Sequence, residues 1–197
     1  MLNGHFAKGM LVAATLILAT SSHAIGPGIV QIRTGALLGS VSGGEGLGGS
    51  VTTFPYIDGE YDLLLNGKSA LVFRGVLAID LSQSNVNYAY FGTGQRFFLG
   101  ASPMNFTRSE GGMSVTSNPK LNYFIGWDSG LGHVVIPKVG QIVLTTTAFD
   151  FGATAGVNWF MIDGVALTAG GTVSYLLGFS SIAMSGLVIK AFIGSSF

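Results

Sequence analysis

The sequence predicts an all-β chain folded as an antiparallel up-and-down barrel that crosses a membrane with its strands. Three observations lead there. Long runs of the chain alternate apolar with small or polar residues, the period of a strand whose successive side chains point to opposite faces. Charged residues make up 9% of the 197, against about 25% in an ordinary soluble domain, so something other than water must cover part of the outside. After residue 24 no apolar stretch approaches the roughly 20 residues that a membrane helix needs, and only helices and closed barrels satisfy their backbone within lipid.

Composition also narrows the function classes. The formal net charge is zero, with no basic run and no acidic tail, so no nucleic-acid partner is expected. The absence of Cys excludes disulfides, thiolate metal sites, cysteine nucleophiles and a lipidated N-terminal cysteine. No cofactor and no metal are expected. Residues 1–24 read as a cleaved signal peptide: Lys8 gives a positive start, Met10 to Thr20 is an apolar run of 11 residues, and Ser22-His23-Ala24 offers small residues to a peptidase. A short membrane anchor is the alternative, but the run is too short to span. The barrel is then residues 25–197, a length that suits eight strands of roughly 9 to 14 residues, with ten as the alternative.

The clearest hairpin is Phe149 to Leu177. Phe149, Phe151, Ala153, Ala155, Val157, Trp159 and Met161 are all apolar, and of the six residues between them only Phe160 is. Val165, Leu167, Ala169, Val173, Tyr175 and Leu177 repeat the pattern. For the two oily faces to agree, the connection must be odd, so Ile162-Asp163-Gly164 is expected as a three-residue turn on the periplasmic side with Gly164 in the left-handed region. That register pairs Met161 with Val165, Trp159 with Leu167 and Phe149 with Leu177.

The other elements come in order. Gly28 to Gly39 is a first strand with Arg33 on its polar face, and residues 40–52 are a Gly and Ser tract expected as loop. Tyr56 to Leu65 is a strand with Asp58, Glu60 and Asp62 on one face. A turn at Leu65-Asn66-Gly67 or Asn66-Gly67-Lys68 leads to a strand with Arg74 and Asp80 on the polar face, and the second turn would set Glu60 opposite Arg74. Residues 82–119 are irregular: Gln95 to Gly100 looks like strand, but the stretch after it is broken by Pro103, Gly111-Gly112 and Ser117-Asn118-Pro119. Leu121 to Trp127 is strand, a polar loop is expected around Ser129-Gly130, and Pro137 belongs in a loop or at a strand edge. The chain closes with Leu187, Ile189, Ala191, Ile193, Ser195 and Phe197 on one face.

That oily face is assigned to lipid rather than to a protein core. In a β-sandwich or a secreted barrel the second face meets water and carries Lys, Glu, Thr and Arg; here it is mostly Gly, Ala, Ser and Thr with single charges, which suits a crowded lumen. Phe149, Phe151, Trp159 and Tyr175 stand near strand ends, as membrane-interface aromatics would.

The terminal alternating strand ending in aromatic Phe197, taken with the signal peptide and the alternation over most of the chain, resembles the closing strand of the small, eight-stranded outer-membrane barrels of Gram-negative bacteria. The resemblance implies an outer-membrane location, surrounding lipid, and Phe197 as the signal read by the barrel-assembly machinery.

Arg33, Glu60, Asp62, Arg74, Asp80, Asp150 and Lys190 all share the polar parity of their strands. A barrel of about eight strands is just filled by side chains, so these charges are expected to pair in a lumen network. The expected function is a structural or surface-interaction barrel, presenting loops such as Ser40 to Thr52 and Ser82 to Gly94. A narrow channel for small polar solutes is the alternative. Ser129, His133 and Asp128 are the set a lipid-modifying enzyme would need, but they read as loop with no spacing that makes a rigid site, and no enzyme is expected.

Overall fold

The computed structural model describes residues 28–43, 48–80, 85–100, 102–109, 112–117, 120–137, 143–179 and 184–197. The signal-peptide assignment of residues 1–24 lies outside them. Ten strands run in order: β1 (Gly28–Gly43), β2 (Gly48–Asn66), β3 (Ser69–Asp80), β4 (Asn85–Leu99), β5 (Met104–Ser109), β6 (Gly112–Ser117), β7 (Leu121–Pro137), β8 (Val143–Ile162), β9 (Val165–Gly178) and β10 (Met184–Ser196). Eight of them close a barrel in the order β1-β10-β9-β8-β7-β4-β3-β2, every pair antiparallel. Among the described residues β5 and β6 pair only with each other. The irregular middle is therefore a connection between β4 and β7, residues 100–120, that carries its own hairpin, and it leaves the barrel at eight strands.

Where they fall on described residues, three expected loops are strand instead. The tract 40–52 extends β1 to Gly43 and starts β2 at Gly48; small residues permit this because backbone pairing, such as Val41 with Gly49, needs no side chain. Ser82 to Gly94 is mostly β4, and Ser129-Gly130 lies in the middle of β7, paired with Thr93 and Gly92 on one side and Phe151 and Asp150 on the other. Pro137 is the last residue of β7, where its missing N–H interrupts no continuing ladder.

The hairpin register matches the parity argument along its length, with Trp159 opposite Leu167 and Phe149 opposite Leu177. At the tip Ile162, not Met161, pairs with Val165, and Met161 is bulged out between Phe160 and Ile162. Gly164 has φ 79°, the conformation in which a side chain would be strained. The β2–β3 turn repeats the device: Asn66 pairs with Ser69, Leu65 is the bulge, and Glu60 faces Arg74, with the Asn66 side chain accepting from Lys68 N–H at 2.8 Å.

The two faces separate as the alternation requires. Ile57, Phe91, Leu131, Phe151 and Trp159 are among the exposed outer residues, while Tyr56, Val76, Phe124 and Leu176 are buried inside. Two inner glycines, Gly156 and Gly170, leave room for lumen aromatics: a Cβ on them would lie 2.5 Å from the Phe124 ring and 2.7 Å from the Phe192 ring. The closing seam β1–β10 is tight at Gly35, where a Cβ would collide with the Ala191 carbonyl oxygen, next to a bulge in the β1–β2 register. Gly35→Val is expected to cost about 1–3 kcal/mol, read as a lower urea midpoint of the refolded barrel. An unchanged midpoint would show that the seam yields freely.

The end of the barrel that carries Phe197 and the turns at residues 67–68 and 163–164 is termed the lower end. The β5–β6 connection sits there too. Its Ser102 faces Gly67 of the β2–β3 turn, and Met104 is buried in the same apolar cluster as Ala70 and Phe98.

Candidate functional site: the barrel lumen

Among the described residues nine charged side chains are buried inside the barrel: Arg33, Arg74, Arg96 and Lys190 with Asp58, Glu60, Asp62, Asp128 and Asp150. They reach the lumen because each holds an inward position of its strand. Seven of them form one chain of alternating sign. Asp62 pairs with Arg96 Nη1 at 2.5 Å, Arg96 Nη2 with Glu60, Glu60 with Arg33 at 2.5 Å, Arg33 with Asp58 at 2.9 Å, Asp58 with Arg74 at 2.7 Å, and Arg74 with Asp128 at 3.1 Å. Ion pairs this far from water hold only when geometry is good and the remaining lone pairs are satisfied. Asp58 meets that condition, receiving both Arg33 and a forked set of bonds from Arg74 Nε and Nη2.

The upper member, Asp128, also accepts from Tyr90 Oη at 2.7 Å and from Thr154 Oγ1 at 3.4 Å. Lys190 and Asp150 form a separate pair at 3.8 Å. The Tyr88 hydroxyl joins them, donating to Asp150 and accepting from Lys190 Nζ. Lys190 Nζ lies 5.1 Å from both the Tyr88 and the Tyr90 ring centroids, and the Arg33 and Arg96 guanidinium groups cover Phe192 and Phe124 at 4.4 and 4.2 Å. Such contacts stabilise a desolvated cation by about 2 kcal/mol. Apolar side chains such as Leu37, Val76, Ala78, Leu176 and Val188 fill the lumen toward the upper end, and Phe98, Met104, Phe160 and Ala166 toward the lower.

Of the residues expected in the network, Arg33, Glu60, Asp62 and Arg74 meet in the long chain, and Asp150 and Lys190 meet each other. The side chain of Asp80 lies outside the described residues. Sequence reasoning leaves out three members. Asp58 shares the parity of Glu60 and Asp62 and is the centre of the chain; Arg96 is hidden because Phe97 and Phe98 blur which face is oily; Asp128 is drawn toward a loop by Ser129-Gly130.

His133 is not in a loop. It pairs with Ala89 and Thr147 within β7, on the same outward parity as Ser129, while Asp128 points inward and is buried. The three side chains therefore do not converge. The four aromatics expected at a membrane interface, Phe149, Phe151, Trp159 and Tyr175, are all exposed on the outer wall, with Phe151 opposite Tyr175 and stacked on Trp127 at 6.2 Å. Phe149 and Trp159 are ten residues apart on β8, about 25 Å along the axis of a barrel with usual strand tilt, which matches the height of an outer-membrane apolar band. Phe197 is half exposed, and its N–H and carbonyl bond to Val30 at 2.9 and 2.7 Å.

A closed antiparallel barrel of eight strands, oily outside and polar within, is the fold of the small outer-membrane β-barrels. Neisserial surface protein A has it: the two superpose with a TM-score of 0.51 at 14% identity, over 86% of this chain and 95% of that one. Two further solved structures align over 86% of this chain: the attachment invasion locus protein Ail of Yersinia pestis (TM-score 0.43, 12% identity, 99% of that chain) and the N-terminal β-barrel domain of Pseudomonas aeruginosa OprF (0.39, 13%, 97%). No family model matches the chain, and no curated protein matches its sequence.

Proposed function

We propose that the protein is exported by its signal peptide, inserted into a Gram-negative outer membrane by an assembly machinery that reads Phe197, and serves there as a non-conducting structural or surface-interaction barrel. The filled lumen carries this reading: an alternating chain of seven charged groups crosses it, with apolar side chains packed toward both ends. The surface role is supported by the upper ends of β7 and β8, which stay paired from Leu131 and Phe149 on to Pro137 and Val143. No catalytic role is proposed, since Ser129 and His133 take the opposite face from Asp128.

A narrow channel is the second reading. It is favoured by the buried polar atoms of Asn158, Thr168 and Ser174, which lack protein partners and would suit a water-lined path. Planar-bilayer recordings of the refolded protein separate the two. The plugged barrel gives no conductance above that of the empty bilayer, whereas discrete steps would overturn it in favour of the channel.

A further inference from the structure

The ion-pair chain has a carboxylate at each end, so its seven members hold four anions and three cations. Lys190 and Asp150 balance each other, and among the described residues the lumen holds one carboxyl group more than it holds cationic groups. The two ends are not equally satisfied. Asp128 receives Arg74, Tyr90 and Thr154. Asp62 uses a single oxygen, Oδ2, for both Arg96 and Gln31 Nε2, and no donor reaches its Oδ1, while the Glu60 carboxyl stands within hydrogen-bonding distance of the same carboxyl group.

On neighbouring inward positions two more buried oxygens have no hydrogen-bond partner, Gln31 Oε1 and Ser196 Oγ. Gln31 is tied to Asp62 by its own amide N–H at 3.0 Å, and Ser196 is its direct neighbour on β10; all three residues have zero solvent exposure. Buried oxygens of this kind normally find a partner, and an unbalanced charge in such a place is strongly disfavoured. We propose that Asp62, Gln31 and Ser196 form a binding site for a monovalent metal cation at the lower end of the lumen, the ion neutralising the excess carboxylate. Among the described residues no group of three His, Asp or Glu side chains is placed to hold a metal ion. One carboxylate with two neutral oxygens suits a singly charged ion better than calcium, which takes 6–8 oxygens, often from several carboxylates.

The test is sodium-23 NMR on the full chain refolded in detergent, titrated with NaCl at constant ionic strength with choline chloride. Saturable line broadening that potassium competes away is expected in the wild type. Asp62→Asn, which removes the excess charge without changing shape, abolishes the broadening, and Gln31→Met, which leaves the Asp62–Arg96 pair intact, weakens it several-fold. The thermal midpoint of the wild type rises with sodium, and that of Asp62→Asn does not. Unsaturable broadening, equal broadening in wild type and Asp62→Asn, or a wild-type midpoint that ignores sodium but rises as the pH is lowered would overturn the proposal, the last by showing that a proton occupies the place of the ion. If Asp62→Asn does not refold, undiminished broadening in Gln31→Met overturns it equally.

Discussion

Arg74→Ala is expected to destabilise the refolded barrel by about 3–5 kcal/mol, the usual consequence of removing one partner from a buried ion pair. Arg74 occupies the middle of the lumen and joins the lower part of the ion-pair chain to its upper end. Its Nε and Nη2 hold Asp58, its Nη1 holds Asp128 at 3.1 Å and the Thr172 hydroxyl at 3.1 Å. Truncation would divide the chain into Asp62–Arg96–Glu60–Arg33–Asp58 on one side and Asp128 on the other, leaving Asp128 with only neutral donors. A neighbouring substitution sharpens the comparison. Thr172→Val removes a hydroxyl that accepts from Arg74 and bonds the Thr154 hydroxyl, and its effect should stay near the roughly 1.5–3 kcal/mol of a hydrogen bond to a charged group, since it strands no charge. Urea unfolding of both variants in detergent, followed by tryptophan fluorescence, measures the difference. Similar small losses for the two would mean that water reaches the lumen and relieves the unpaired charges.

Ala155→Arg should lose about 2–4 kcal/mol, because Ala155 faces outward near the middle of the apolar band, where an arginine meets hydrocarbon. It stands between Ile125 and Gly171 on the neighbouring strands, roughly halfway from Phe149 to Trp159. Thr145→Arg, also outward but above the Phe149 ring, should lose only about 0–1 kcal/mol. The measurement is unfolding in lipid vesicles rather than detergent, so that depth is preserved. Equal effects at the two positions would contradict the assignment of the oily wall to lipid.

Most of the wall is legible in the sequence because lipid enforces alternation. From Phe149 to Trp159 and from Leu167 to Leu177 the pattern of outward positions is read correctly from parity alone, and the same parity places Arg33, Glu60 and Arg74 in one lumen without any knowledge of pairing. The signal fails where the inner face turns apolar or the outer face turns polar. At Phe97-Phe98 both faces carry the same residue type, since Phe98 packs the lower end of the lumen, and this conceals Arg96. At Ser129-Gly130 and Gly132-His133 the outer face carries a hydroxyl and an imidazole while the inner face is glycine, so a strand looks like a loop and Asp128 goes with it. The Gly and Ser tract at residues 40–52 misleads for a related reason: composition reports how freely a chain moves alone, not whether a neighbouring strand will pair with it. Which carboxylate meets which arginine depends on the stagger of strands far apart in the chain, and no local pattern encodes that.

The bulges at Leu65 and Met161 bear on how such a chain can change in length. Within a strand, adding or removing one residue would turn every later side chain inside out, sending charges into lipid and leucines into the lumen. At these two tips the odd residue is already set aside from the ladder: Phe160 opposite Ala166 and Ile162 opposite Val165 would be consecutive pairs if Met161 were absent. A single-residue insertion or deletion at either tip thus leaves the wall with its orientation, by geometry alone.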